Sequence, residues 1–189
     1  MSNHETTYPT YAKIIHLGIV VFGITAFLTG ELAEDVSSYF IHAYLGLSLA
    51  AFILLRVIVG FTPSTTLSFK GWSPLSRLQW QLAFDDVKSL LTLAVPHRDK
   101  HQGLAGLTQA FGLIIFAWMA VTGTGLFLLA GPTETVLFEF IEEVHEIGES
   151  LIPLYLGLHV GAVLLHSFTG QPIWQKMFKY RTDYHVTNK

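Results

Sequence analysis

From Leu151 to Pro172 the chain carries no formally charged residue, yet His159 and His166 lie inside that stretch. An apolar run of about 20 residues is what a helix needs to cross a bilayer. An imidazole is costly in such a segment unless something satisfies its nitrogens. A third histidine, His145, stands just before it. From His145 to His159 a helix advances about 1400°, some 40° short of four turns, and rises about 21 Å. The two rings therefore share nearly one face at two depths. His166 follows seven residues later, close to the same face. One apolar helix presenting imidazoles at separate depths reads as a ladder for two metal centres.

The rest of the chain has the matching polarity. Of its 189 residues 51% are hydrophobic and only 13% charged, where a soluble domain averages about 25% charged. That balance is expected of an integral membrane protein. There is no cysteine. Disulfides, zinc–thiolate sites, iron–sulfur clusters and covalent CxxCH haem attachment are thereby excluded. A redox cofactor has to be held by His or Met, and Met occurs three times. The length suits a single domain over residues 1–189.

Four spans are predicted, over about 13–30, 39–60, 103–130 and 144–169. The first is somewhat long for a signal peptide and has one preceding Lys, so it is read as a retained helix. All 11 Lys and Arg fall at Lys13, within 56–100, or after residue 175. The connectors 31–38 and 131–150 contain none. The positive-inside rule then puts both termini and the 56–102 connection in the cytoplasm. The outward connectors carry Glu31, Glu34, Asp35, Glu134, Glu139, Glu142, Glu143, Glu146 and Glu149, an acidic face. Within the inner connection, Leu75, Leu78, Leu82, Val87, Leu90 and Leu91 recur near helical spacing. Trp72, Trp80 and Phe84 suit the headgroup level. An amphipathic helix over about 74–95 is expected on the cytoplasmic membrane surface, ended by Pro96. Pro153 is expected to kink the fourth span between its histidine levels. The fold class is an all-α four-transmembrane-helix bundle with this surface helix between helices 2 and 3.

Topology gives each histidine a depth. His42 and His145 share the outer level. His16 shares the inner half with His159 and His166, and depth alone does not choose between those two. Two imidazoles from different helices can face each other across a flat ring, which is bis-histidine ligation of haem iron. Zinc is the rival, but it wants three or four ligands at one level and each level here offers mainly two. Gly46, Gly157, Gly161 and Gly18 lie near these histidines and would let a porphyrin approach the backbone, although close helix packing accounts for them equally well. The same ambiguity attaches to Thr122-Gly123-Thr124-Gly125, which leans toward packing. Arg56 is a candidate partner for a haem propionate, and snorkelling to the interface explains it as well. His101 is placed to touch a propionate or a quinone headgroup, or simply marks the interface.

The ordered set of short motifs resembles the bacterial cytochrome b561 family, which includes the di-haem cytochrome b subunits of nickel–iron hydrogenases. The residues are Ile-Ile-His16, His42-Ala-Tyr-Leu-Gly46 with Leu-Arg56-Val, Thr122-Gly123, and His145-Glu146 followed by Leu-Gly-Leu-His159 and Leu-Leu-His166. The resemblance covers nearly the whole chain. It implies two non-covalent haem b groups with ligands from the first, second and fourth helices. Carried over by position, it gives His42 and His145 to the outer haem and His16 and His159 to the inner one. His166 then becomes a supporting residue.

The function expected is electron transfer in the bacterial inner membrane, between ubiquinone or menaquinone and a redox protein docking at the acidic periplasmic face. A c-type cytochrome or a dehydrogenase or hydrogenase subunit would fit that docking role. No nucleic-acid partner is expected. Two alternatives belong to other classes. One is a superoxide oxidase reducing ubiquinone, an activity found in the family, against which the acidic outer face would repel an anionic substrate. The other is a haem-bearing membrane anchor of a larger redox complex.

Overall fold

A computed structural model describes residues 7–30, 32, 35–63, 65–92, 94–96, 102–131 and 135–179. Its helices are α1 (Thr10–Gly30), α2 (Val36–Phe61), α3 (Arg77–Leu91), α4 (Leu104–Leu129), α5 (Val136–Phe168) and the single turn α6 (Gln175–Phe178). A short 3-10 turn, Phe69–Gly71, precedes α3. α1, α2, α4 and α5 are each long and apolar enough to cross a membrane.

Local chemistry starts each helix. Asp35 caps α2: its carboxylate accepts from Ser37 N at 2.8 Å and Ser38 N at 3.0 Å. Ser38 Oγ accepts in return from the Asp35 backbone N–H, completing a capping box. Those donors hold the Asp35 carboxyl below its usual range, the Ser38 backbone N–H contributing most. Thr135 caps α5 by accepting from Phe138 N at 3.2 Å. α4 begins after Gly103, whose φ of 65° suits glycine and which has no side chain to cap with. The cap comes from α3 instead. Asp86 Oδ2 accepts from Leu104 N at 2.9 Å, and Gln79 Nε2 donates to Gly103 O at 3.1 Å. Gln79 and Asp86 are both buried. α3 is thus fastened to the start of α4 by its polar face, while Leu75, Leu78, Trp80, Phe84 and Leu91 stay exposed.

The ends of α1 and α4 and the starts of α2 and α5 lie at one end of the bundle, and α3 lies at the other, against the start of α4. Close packing joins α1 to α2, α2 to α4 and α4 to α5, with α3 against α4. No comparably close approach joins α5 to α1 or α2. The buried cluster is Leu49 and Ile53 from α2, Ile115, Phe116 and Met119 from α4, and Ile152 from α5. Glycines set the contact distances, as expected where helices pack by close backbone approach. Gly18 receives the Phe52 ring, Gly112 the Tyr155 ring and Gly148 the Met119 sulfur.

α5 is the longest helix, with 33 residues. At about 1.5 Å per residue it reaches about 50 Å, against a hydrocarbon core of about 30 Å. It begins eight residues before the predicted span (136 rather than 144) and runs unbroken through Pro153. The added turns carry Glu139, Glu142 and Glu143. Acidic residues end an apolar count but not a helix, and near an N-terminus they favour it.

Candidate functional site

At the connector end, His42 from α2 and His145 from α5 face each other across the gap that α5 leaves. Their ring centres are 6.4 Å apart and the planes are nearly perpendicular, at 88°. Each Nδ1 is engaged from a neighbouring helix. His42 Nδ1 lies 3.0 Å from Ala26 O on α1, and a carbonyl can only accept, so that nitrogen carries the hydrogen. Thr29 Oγ1 is 3.5 Å from the same atom. His145 Nδ1 lies 2.7 Å from Thr122 Oγ1 on α4. The Thr122 hydroxyl donates to Trp118 O at 2.9 Å, so it accepts from the imidazole. Both rings therefore keep Nε2 as the lone-pair nitrogen. A cleft with about 730 Å³ of empty space, counting its open side, lies against His42, Gly46, Gly123, His145 and Glu149.

Further along the bundle, His16 from α1 faces His159 from α5 with ring centres 6.3 Å apart and planes at 42°. Tyr155, one turn before His159, stacks on it at 5.6 Å and 24°. Tyr155 is held in turn by the edge of Phe116 at 5.6 Å and by Gly112, where no side chain intervenes. α4 carries no histidine among its own residues, yet it orients one ring at each level: His145 through Thr122 and His159 through Tyr155. In sequence, Thr122 lies in a stretch that leans toward packing without deciding it. Its role links two helices across 23 residues, which no periodicity reveals.

Other predicted residues fall elsewhere. His166 lies at the last turn of α5 with Nδ1 3.4 Å from Gln171 Oε1; the ring facing His16 is that of His159. Arg56 is buried at 7% exposure, not snorkelled, and donates through Nη1 to Leu67 O at 3.0 Å. Trp72, expected at the headgroup level, is buried at 6% beside it. His101 lies outside the described residues. Of the glycines, Gly46 lines the cleft with nothing near its missing Cβ, whereas Gly18 is filled by Phe52. Gly157 and Gly161 face open space, but two residues turn a helix about 200°, so they point away from the His159 side.

Two metal–imidazole bonds of about 2 Å, the length known at zinc, plus two half-rings span roughly 6 Å between ring centres. Both observed separations match that span. Among the described residues no cluster of three or more His, Cys, Asp or Glu side chains could hold a metal ion, so neither level resembles a closed zinc cage. Over residues 7–180 the sequence matches the family model of prokaryotic cytochrome b561. The chain belongs to the prokaryotic cytochrome b561 family. Members of the cytochrome b561 family are membrane electron-transfer proteins that bind haem b. With its four apolar helices, this b561 chain is a multi-pass protein of a bacterial membrane. No curated protein and no solved structure matches it.

Proposed function

We propose that this protein holds two haem b groups, one between His42 and His145 and the other between His16 and His159. It would carry electrons between the quinone pool and a redox partner outside the membrane. The observation that carries this reading is the pair of facing imidazoles at 6.4 and 6.3 Å, with Nδ1 of His42 and His145 already engaged. A ligand imidazole characteristically gives its second nitrogen to a carbonyl or other acceptor, which fixes tautomer and orientation. A haem held by each histidine pair would supply a one-electron couple suited to electron transfer.

The protein's own groups would do the remaining work. Thr122 and Ala26 O aim the outer rings, Tyr155 aims the inner one, and the Leu49–Ile53–Ile115–Phe116–Ile152 layer keeps the space between them apolar. In this reading both termini are cytoplasmic, from the distribution of Lys and Arg. α3 then lies on the cytoplasmic surface with its exposed apolar residues in the headgroup region. Glu139, Glu142, Glu143 and Glu146, on the protruding start of α5, would meet a basic partner such as a c-type cytochrome or a dehydrogenase subunit.

A pyridine haemochrome count on purified protein tests the core of this. Two haem b per chain are expected, falling to one in His42→Ala or His145→Ala, with the other lost in His159→Ala. Retention of both haems in all three variants would overturn the assignment.

A further inference from the structure

Arg56 and Trp72 are neighbours, and each buries a hydrogen-bond donor that has no acceptor. Arg56 Nη2 and Trp72 Nε1 are fully buried and unpartnered. The guanidinium carbon lies 5.5 Å from the Trp72 ring centre and 5.3 Å from that of Phe69. The aromatic faces offset part of the cation's desolvation. They accept nothing from the in-plane Nη2, and Leu67 O takes only Nη1. A buried ionic group left unpaired is strongly destabilising.

The surroundings hold this arrangement in place. Gly60, one turn beyond Arg56, has no side chain where the Phe69 ring lies. That contact seats the loop after α2, so that Leu67 O and Trp72 arrive at the guanidinium. Arg56 follows His42 by 14 residues, which returns it to within about 40° of the His42 face and about 21 Å along the helix. Leu49 and Ile53, buried on that same side, lie between them, whereas Leu54, Leu55 and Ile58 are exposed on the other. Arg56 therefore looks into the bundle and not out to lipid.

We infer that Arg56 Nη2 and Trp72 Nε1 form a binding site for an anionic oxygen at the α3 end of the bundle. Both groups can only donate, so the ligand must supply lone pairs, and the guanidinium selects negative charge. Two sources share this chemistry: a carboxylate of a bound haem, or the phosphodiester of a phospholipid headgroup. The bundle-facing side of α2 favours the carboxylate. The site itself stands on Arg56 and Trp72; only the carboxylate source rests on the function proposed above, and a haem count on the wild-type protein tests that separately.

The test uses full-length protein with Arg56→Gln and Trp72→Phe. Trp72→Phe keeps an aromatic face on Arg56 and removes only the N–H, so it decides the matter if Arg56→Gln fails to insert. Haem loss to excess apomyoglobin and phospholipid retained in native mass spectrometry are measured side by side. If the site takes a haem carboxylate, haem loss quickens about tenfold, the scale of one charge-assisted hydrogen bond. Reconstitution with haem dimethyl ester then erases the difference between wild type and variants. If the site takes a headgroup phosphate, the variants lose a retained phospholipid and haem loss is unchanged. Wild-type values for both readouts in Trp72→Phe would overturn the inference.

Discussion

Thr122 Oγ1 sits 2.7 Å from Nδ1 of His145, reaching from α4 to α5. Because the same hydroxyl donates to Trp118 O, it can only accept from the imidazole. Accepting that hydrogen raises the basicity of the opposite nitrogen. A more basic ligand stabilises oxidised iron. Thr122→Val keeps the shape and removes the acceptor. We expect the outer haem's midpoint potential to rise by some tens of mV, the one-electron equivalent of about 1 kcal/mol. Spectroelectrochemical titration measures it, with Thr122→Ser as the control that stays at the wild-type value. An unshifted potential in Thr122→Val would mean the contact does not tune the site.

Gly112 and Gly157 make a paired test of helix packing. A Cβ on Gly112 would run into the Tyr155 ring, which stacks on His159. Gly112→Ala should destabilise by about 1–3 kcal/mol, as overpacking does, and disturb the inner haem spectrum. Gly157 meets nothing, so Gly157→Ala should stabilise the helix by about 0.5–1 kcal/mol. Thermal unfolding in detergent reads both. Equal effects in the two variants would contradict the packing described.

His166→Ala should leave two haems per chain. Its Nδ1 is directed to Gln171 Oε1 at 3.4 Å and not to His16. Loss of the inner haem in this variant, with His159→Ala retaining it, would transfer the ligand role to His166.

The Asp35 cap carries a pH dependence with a defined sign. Its folded carboxyl titrates below the ordinary carboxylate value, owing first to the Ser38 backbone N–H and then to the Ser38 side chain and Ser37 N. The cap therefore contributes stability above that ordinary value, and the contribution disappears as pH falls through the lowered one. Carbon-13 NMR of the side chain should show the depressed titration. A value at or above that of a free aspartate would refute it. Asp35→Asn should keep the cap and lose the pH dependence.

If the protruding acids of α5 dock a partner, Glu142→Gln, Glu143→Gln and Glu146→Gln together should slow association with a basic cytochrome c by about tenfold at low salt. Stopped-flow rates across ionic strength provide the measure. The wild-type rate should fall steeply with salt and the variant's should not. Parallel salt profiles would remove these residues from the docking surface.

The four long helices could be read from composition because charge-free runs leave few alternatives in lipid. Seven of the eight helix ends lie within three residues of the predicted span ends. The start of α5 does not, since hydropathy measures what lipid tolerates and not where a helix begins. A helix was legible within 74–95, and the one observed there, α3, is shorter, at Arg77–Leu91. What its polar face does was not legible: the need for Gln79 and Asp86 arises from Gly103, a residue in another segment. Depth arithmetic brought His42 level with His145 and placed His16 in the same half as His159 and His166, because a helix converts residue count directly into height; the preference for His159 came from the family resemblance. It could not show Thr122, Tyr155 or Trp72, whose partners are fixed by how helices and loops meet sideways.

The apolar layer of Leu49, Ile53, Ile115, Phe116 and Ile152 lies between the two histidine levels, and Ile115 is only 1% exposed. None of these five side chains carries a hydroxyl or carboxylate. If electrons pass between the two levels as proposed, an electron crossing these five side chains would move as bare charge. Each such transfer would be electrogenic: it would work with or against the membrane voltage, at about 2.3 kcal/mol per charge for every 100 mV traversed in full. In the two-haem reading proposed above, five side chains that carry no charge at all would thus couple the direction of turnover to the energisation of the membrane.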